Sequence, residues 1–191
     1  DDLIEKEGLY YEKDSDEPFS GEVTGNVSGK FKYGKPIGKW VEYYQNGKLL
    51  TEGNYKDGIL EGEFLHYYDD GQLKEKSNLK NGKWEGEYLE YYKKGQLKVK
   101  KIYKEDKEIG DSETYYENGN LKEKKYYKNG KLEGEYLYYY SNGQLWIKNN
   151  YKNGILDGER LVYFDNGKLE KTEIYKTKTI PRNNQRYFEY H

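Results

Sequence analysis

The sequence predicts an all-β protein: an elongated repeat meander of about six to seven β-hairpin units, 24 residues each, forming one twisted, coiled antiparallel sheet. Three observations predict it. Gly47, Gly71, Gly95, Gly119, Gly143 and Gly167 recur every 24 residues, as do Gly38, Gly62, Gly86, Gly110, Gly134 and Gly158. Two aromatic columns keep the same step, Tyr43, Tyr67, Tyr91, Tyr115, Tyr139 and Tyr163, then Tyr44, Tyr68, Tyr92, Tyr116, Tyr140 and Phe164. A leucine column follows at Leu49, Leu73, Leu97, Leu121, Leu145 and Leu169. Columns that stay in phase this long are no compositional accident.

One unit shows why each piece takes its form. "EYLYYY" (135–140) is rich in residues that suit a pleated surface, and predicts the outgoing strand. "SNG" (141–143) predicts a tight turn, because Asn and Gly tolerate positive φ. "QLWIKNNY" (144–151) returns, and "KNG" (152–154) turns the chain again ahead of Gly158. A two-residue "SNG" turn and a three-residue turn with a glycine bulge imply different cross-strand registers, and both stay open. Two strands per unit advance such a sheet by about 10 Å per repeat. Each unit then contacts chiefly its neighbours, and the tyrosines supply core area while keeping their hydroxyls wet or bonded.

The ends and one interior unit depart from the pattern. Residues 1–31 carry a partial copy, "PFSGEV", at off-period spacing, and are expected to cap the first strand edge. Residues 32–177 form the array, and residues 178–191 are expected to be a C-terminal cap or tail with Pro181 breaking the ladder. Within the array Leu79 replaces a tyrosine and Asp106 a turn glycine, and the segment 104–114 reads as a drifted repeat, with a mild bend as the alternative.

Composition narrows the function. Only 34% of residues are apolar, yet 17% are aromatic, with 25 tyrosines among the 191 residues, and aromatic richness argues for an ordered chain. The 33 basic and 35 acidic residues alternate closely, for a net charge of −2, whereas a nucleic-acid binder carries a basic excess. No apolar run is long enough for a membrane-spanning helix. With no cysteine, disulfides, thiolate zinc sites and thiol catalysis are excluded. The sequence also lacks methionine, so an upstream segment is expected to have been removed. A cleaved signal and simple trimming both fit, which leaves the compartment open between export and cytoplasm.

"YKNGKLEGEYLYYYSNGQL" (127–145), "YKDGILEGEFLHYYDDGQL" (55–73), "LKNGKWEGEYLEYYKKGQL" (79–97) and "YKNGILDGERLVYFDNGKL" (151–169) resemble the MORN repeat, in particular its bacterial variant. The opening "EPFSGEV" (17–23) is similar to the start of bacterial chains of this kind. The resemblance implies a non-catalytic β-repeat array. Related bacterial chains are commonly labelled antitoxins, others look exported or surface-bound, and eukaryotic arrays occur beside lipid-kinase domains and at membrane junctions. A kinase label does not transfer, because the array leaves no room for that domain.

The residues predict no catalytic, metal or cofactor site. His66 falls in a freely varying column and His191 ends the sequence, and neither has a motif partner. Glu61/Glu63, Glu85/Glu87 and Glu133/Glu135 suggest the carboxylate pairs of glycoside hydrolysis, but they repeat with the scaffold, as solvated or salt-bridged strand edges do. Lys74, Lys76, Lys98, Lys100, Lys122, Lys124 and Lys148 alternate with their neighbours, and are expected to stack on one face. Such a ladder would suit an anionic lipid or glycan, or serve only as a soluble face neutralised by glutamates. Trp40, Phe64, Trp84, Tyr88, Tyr136 and Trp146 vary beside the fixed columns, and are the candidate surface for a protein partner. The reading that follows is a protein-binding scaffold, with an anionic lipid or glycan as the alternative ligand and self-association through end strands left open.

Overall fold

Turn chemistry sets the fold. The structure, a computed structural model, describes residues 3–176, 178–179 and 186–187. It is an antiparallel hairpin meander throughout, without helix among the described residues. The chain divides into two compact units, one ending at Gly95 and the other starting at Gln96.

The first unit contains β1 (Leu3–Lys6), β2 (Leu9–Glu12), β3 (Gly21–Val23), β4 (Val27–Lys32), β5 (Lys35–Tyr43), β6 (Leu49–Lys56), β7 (Ile59–Leu60), β8 (Gly62–Tyr67), β9 (Leu73–Lys80), β10 (Lys83–Trp84) and β11 (Gly86–Tyr91). From β3 on, each strand pairs with its successor, the short β7 and β10 closing turns against β6 and β9 while β8 and β11 continue the pairing. The second unit contains β12 (Leu97–Lys104), β13 (Lys107–Tyr115), β14 (Leu121–Lys128), β15 (Lys131–Leu132), β16 (Gly134–Tyr139), β17 (Leu145–Lys152), β18 (Ile155–Leu156), β19 (Gly158–Tyr163) and β20 (Leu169–Tyr175), paired the same way. β21 (Lys178–Thr179) and β22 (Arg186–Tyr187) form a short separate pair. The expected break at Pro181 and the terminal His191 lie outside the described residues.

Two turn types alternate. "KNG" turns put both central residues at positive φ, as at Asn153 (53°) and Gly154 (81°), the geometry that suits strand twist. Asp106 takes the glycine place at φ 63°, after Glu105 at 48°, so the irregular repeat keeps its turn without a glycine. The "SNG" loops take the three-residue form. Gly143 N–H donates to Tyr140 O (2.9 Å), Tyr140 N–H donates to Gln144 O (2.8 Å), and Gly143 stands at φ 87°.

That loop is followed by a β-bulge, which no strand periodicity announces. Tyr67 pairs with Leu73 and His66 with Glu75, so Lys74 is an extra residue. The same slip recurs at Leu50, Lys122, Trp146 and Glu170.

Repeats are latched to their neighbours by the columns seen in the sequence. The Tyr44 hydroxyl donates to Tyr67 O (2.7 Å), Tyr68 to Tyr91 O (2.8 Å), Tyr116 to Tyr139 O (2.7 Å) and Tyr140 to Tyr163 O (3.0 Å). Loop asparagines act twice: Asn142 Oδ1 accepts from Gln144 N–H in its own loop (2.9 Å), and its Nδ2 donates to Asp165 O in the next (3.0 Å). The recurring carboxylates share out two structural tasks. Glu61 and Glu133 accept from the backbone N–H of the following turns at Asn81 (2.6 Å) and Asn153 (2.7 Å), while Glu63 and Glu135 bind lysines across the strand.

The N-terminal segment opens with a hairpin of its own. β1 and β2 form a hairpin attached at the β4–β5 turn, through Tyr10 N–H to Gly34 O (2.9 Å), with the Tyr10 ring packed 4.9 Å from that of Phe31. The off-period copy is a hairpin with a short loop: β4 stays in phase, since Phe31 precedes Tyr55 by 24 residues, and only β3 is displaced.

Candidate partner-binding face

Residues paired directly across antiparallel strands share a face, so the registers sort the paired side chains. Trp40 pairs with Gly53, Phe64 with Ser77, Ser112 with Lys125, Tyr136 with Asn149 and Arg160 with Glu173. These form the aromatic face. Its small members admit its large ones. A Cβ on Gly29 would lie 2.3 Å from the Trp40 indole, and one on Gly53 would lie 2.8 Å from Leu60 and 3.1 Å from Phe64. Ser77 is 2% exposed and fills the same place one repeat on. Glycine at 29 and 53, and serine at 77, let each ring lie against the preceding return strand.

In the first unit this face is a strip of rings. Phe31 and Trp40 meet edge to face at 4.9 Å, Trp40 and Tyr55 at 5.9 Å, and Trp84 and Tyr88 lie 5.6 Å apart. Trp84 is 38% exposed, and Trp40 Nε1 makes no hydrogen bond within the protein. The second unit carries a polar network on its aromatic face. The Tyr136 hydroxyl donates to Glu123 (2.6 Å), Lys125 bridges Glu123 (3.1 Å), Arg160 bridges Glu173 (2.7 Å) and Lys101 bridges Glu108 (3.2 Å). Burial and the bond to Glu123 push the Tyr136 phenol well above its ordinary pKa. Trp146 stands on the bulge of β17, stacked on Tyr140 at 5.2 Å and edge-on to Tyr138 at 5.4 Å. Of the six candidate aromatics, the first unit therefore gathers Trp40 with Phe64, and Trp84 with Tyr88, while Tyr136 and Trp146 belong to the second.

The lysines do not share one face, and here the bulge corrects the alternation argument. Lys74 and Lys122, on bulges, turn over tyrosine rings, 5.8 Å from the Tyr68 centroid and 5.5 Å from that of Tyr116. Lys76 and Lys148 pair with Leu65 and Leu137 on the opposite face, where they bridge Glu63 and Glu135. Lys124 bridges Glu113 at 2.9 Å, and Lys98 and Lys100 also have partners. In the first full repeat the pair is reversed as Lys39–Glu52 (2.8 Å), which preserves the bridge while exchanging the charges. A column whose sign can be exchanged is built for pairing across strands, not for one polarity of ligand.

His66 lies on the aromatic face opposite Thr51, its pKa lowered by burial and then by Lys74. Among the described residues no cluster of His, Asp and Glu is arranged to hold a metal. Sequence reasoning missed Gly29, Gly53 and Ser77, the small partners of the aromatic column, although they too recur every 24 residues. It also missed Tyr10, Phe31 and Tyr55, which complete the aromatic strip.

No curated protein matches this chain. The family model described as the MORN repeat variant matches residues 36–57, 60–81, 84–105, 108–129, 132–153 and 156–177, one 24-residue step apart. Each match holds a glycine loop, from Gly47 to Gly167, and four of them hold the tyrosine that latches onto the next repeat, at Tyr44, Tyr68, Tyr116 and Tyr140. The chain belongs to the MORN repeat variant family.

Proposed function

We propose that this chain is a non-catalytic scaffold that binds a protein partner through the aromatic face of its first unit. Repeats of this family are generally interaction modules on a non-catalytic fold. The observation that carries the reading is the strip formed by Phe31, Trp40 and Tyr55, with Phe64 beside it. Phe31 is buried at 8% exposure and backs the strip, while Trp40, Tyr55 and Phe64 are half-buried, and aromatic side chains held rigidly by their neighbours lose little conformational entropy on binding. A toxin-like or surface protein, held in the manner of an antitoxin, an immunity protein or a surface module, is the partner class that fits a non-catalytic array. The ion pairs of Lys76, Lys124 and Lys148 weigh against an anionic lipid or glycan as the main ligand.

The test is affinity capture from the source cells with the chain as bait, alongside flotation on anionic liposomes. One stoichiometric protein is expected, retained at high salt, lost with Trp40→Ala and kept with Lys124→Gln, both variants being checked by thermal melting. Salt-sensitive flotation with no captured protein would sink the proposal.

A further inference from the structure

Between the N-terminal hairpin and β4–β6 lies a cavity of about 370 Å³. Tyr10, Phe31, Trp40 and Tyr55 form its aromatic wall, Leu3 adds an aliphatic side, and Glu42 is the one charged residue lining it. A second cavity of about 190 Å³ adjoins it and shares Trp40, Glu42 and Tyr55.

Glu42 differs from the carboxylates of the opposite face. Glu52, Glu63 and Glu135 each hold a lysine, whereas Glu42, among the described residues, has no ion-pair partner. Its Oε2 accepts a single hydrogen bond, from Thr51 Oγ1 at 3.1 Å. His66, next along the same row, has its pKa lowered by burial and then by Lys74, which disfavours its charged form. Any occupant that covers this cavity strips water from the carboxylate, which is unfavourable unless the occupant supplies the missing charge. An anion is repelled, and a neutral apolar group leaves the carboxylate buried without a counter-ion. A cation satisfies both features at once, because it also gains from the faces of Trp40, Tyr10 and Tyr55.

We propose that this cavity is a cation cage that takes the head of a lysine or arginine side chain from the partner protein, an assignment that rests on the protein-binding reading above. Glu42 neutralises the charge, and the four rings surround it. The glycines at 29 and 53 hold the cage open by letting Trp40 and Phe64 lie back against the sheet.

The full chain, labelled with ¹⁵N, tests this without the partner in hand. The Trp40 indole N–H signal, assigned through Trp40→Phe, is followed while acetyl-Gly-Lys-Gly-amide, its norleucine counterpart or tetramethylammonium chloride is added. The lysine peptide is expected to shift the signal saturably, the norleucine peptide to leave it in place, and Glu42→Gln to weaken lysine-peptide binding by about tenfold or more. Equal shifts with lysine and norleucine, no shift with the lysine peptide, or undiminished binding in Glu42→Gln would each overturn the cage. Tetramethylammonium binding without lysine-peptide binding would overturn the assignment to a partner side chain. Because these titrations need no partner, their failure is separable from a failed affinity capture.

Discussion

The tyrosine hydroxyls at 44, 68, 116 and 140 are structural, since each spans to a carbonyl of the following repeat. Tyr140→Phe keeps the ring and removes only the donor, so it is expected to lower stability by about 0.5–1.5 kcal/mol in urea unfolding. At Gly53 the side chain itself is the hazard. Gly53→Val drives methyls into Leu60 and Phe64, and should cost about 1–3 kcal/mol by the same measurement. Glu113 makes stability sensitive to pH. The Tyr115 hydroxyl (2.6 Å) and then Lys124 hold its pKa below the ordinary glutamate value, and the Tyr115 phenol is itself pushed up to about 12, chiefly by burial and then by the bond to Glu113. A depressed acid contributes stability that is fully present above its unfolded pKa and is lost as pH falls through its folded pKa. Melting temperature should therefore fall on acidification below the ordinary glutamate range, and fall less in Glu113→Gln.

Within an element, the hairpin is decided by its two turns. The "KNG" turn needs two residues at positive φ, and Asp106 meets that need at φ 63° without being glycine. Asp106→Gly should stabilise the chain by about 0.5–1 kcal/mol, read as a raised urea midpoint at unchanged slope. These turns were legible in the sequence because Asn-Gly chemistry is local. The bulge after the "SNG" loop was not, since it emerges only when the three-residue loop and the pairing of β8 with β9 are satisfied together. For that reason the lysine alternation suggests one ladder, while in the fold Lys74 turns over the Tyr68 ring and Lys76 bridges Glu63 on the opposite face. The aromatics were legible as candidates, but nothing local said that Trp40 and Phe64 lie over Gly29 and Gly53 while Tyr136 is committed to Glu123.

For the whole molecule, contacts that reach chiefly from one repeat to the next make the period itself the unit of tolerance. Deleting residues 132–155 removes one full step and rejoins equivalent positions, so the β-sheet circular dichroism should survive at reduced stability. Deleting residues 132–143, half a step, brings a turn against a strand and breaks the latches, and should abolish cooperative unfolding. Loss of sheet signal in both deletions would show that the repeats are not interchangeable modules.

The 24-residue period, the hairpins, the positive-φ turns and the absence of cysteine chemistry follow from the sequence alone, because each depends on residues near one another or on a count. The faces, by contrast, were a tertiary decision. Only contacts made across the folded sheet show which side a bulged residue takes, which carboxylate finds a lysine, and that Glu42 stands among rings without one. The physical reason is that side-chain orientation in a sheet reverses with every residue of register, and register is set jointly by strands and loops that no single stretch of sequence contains.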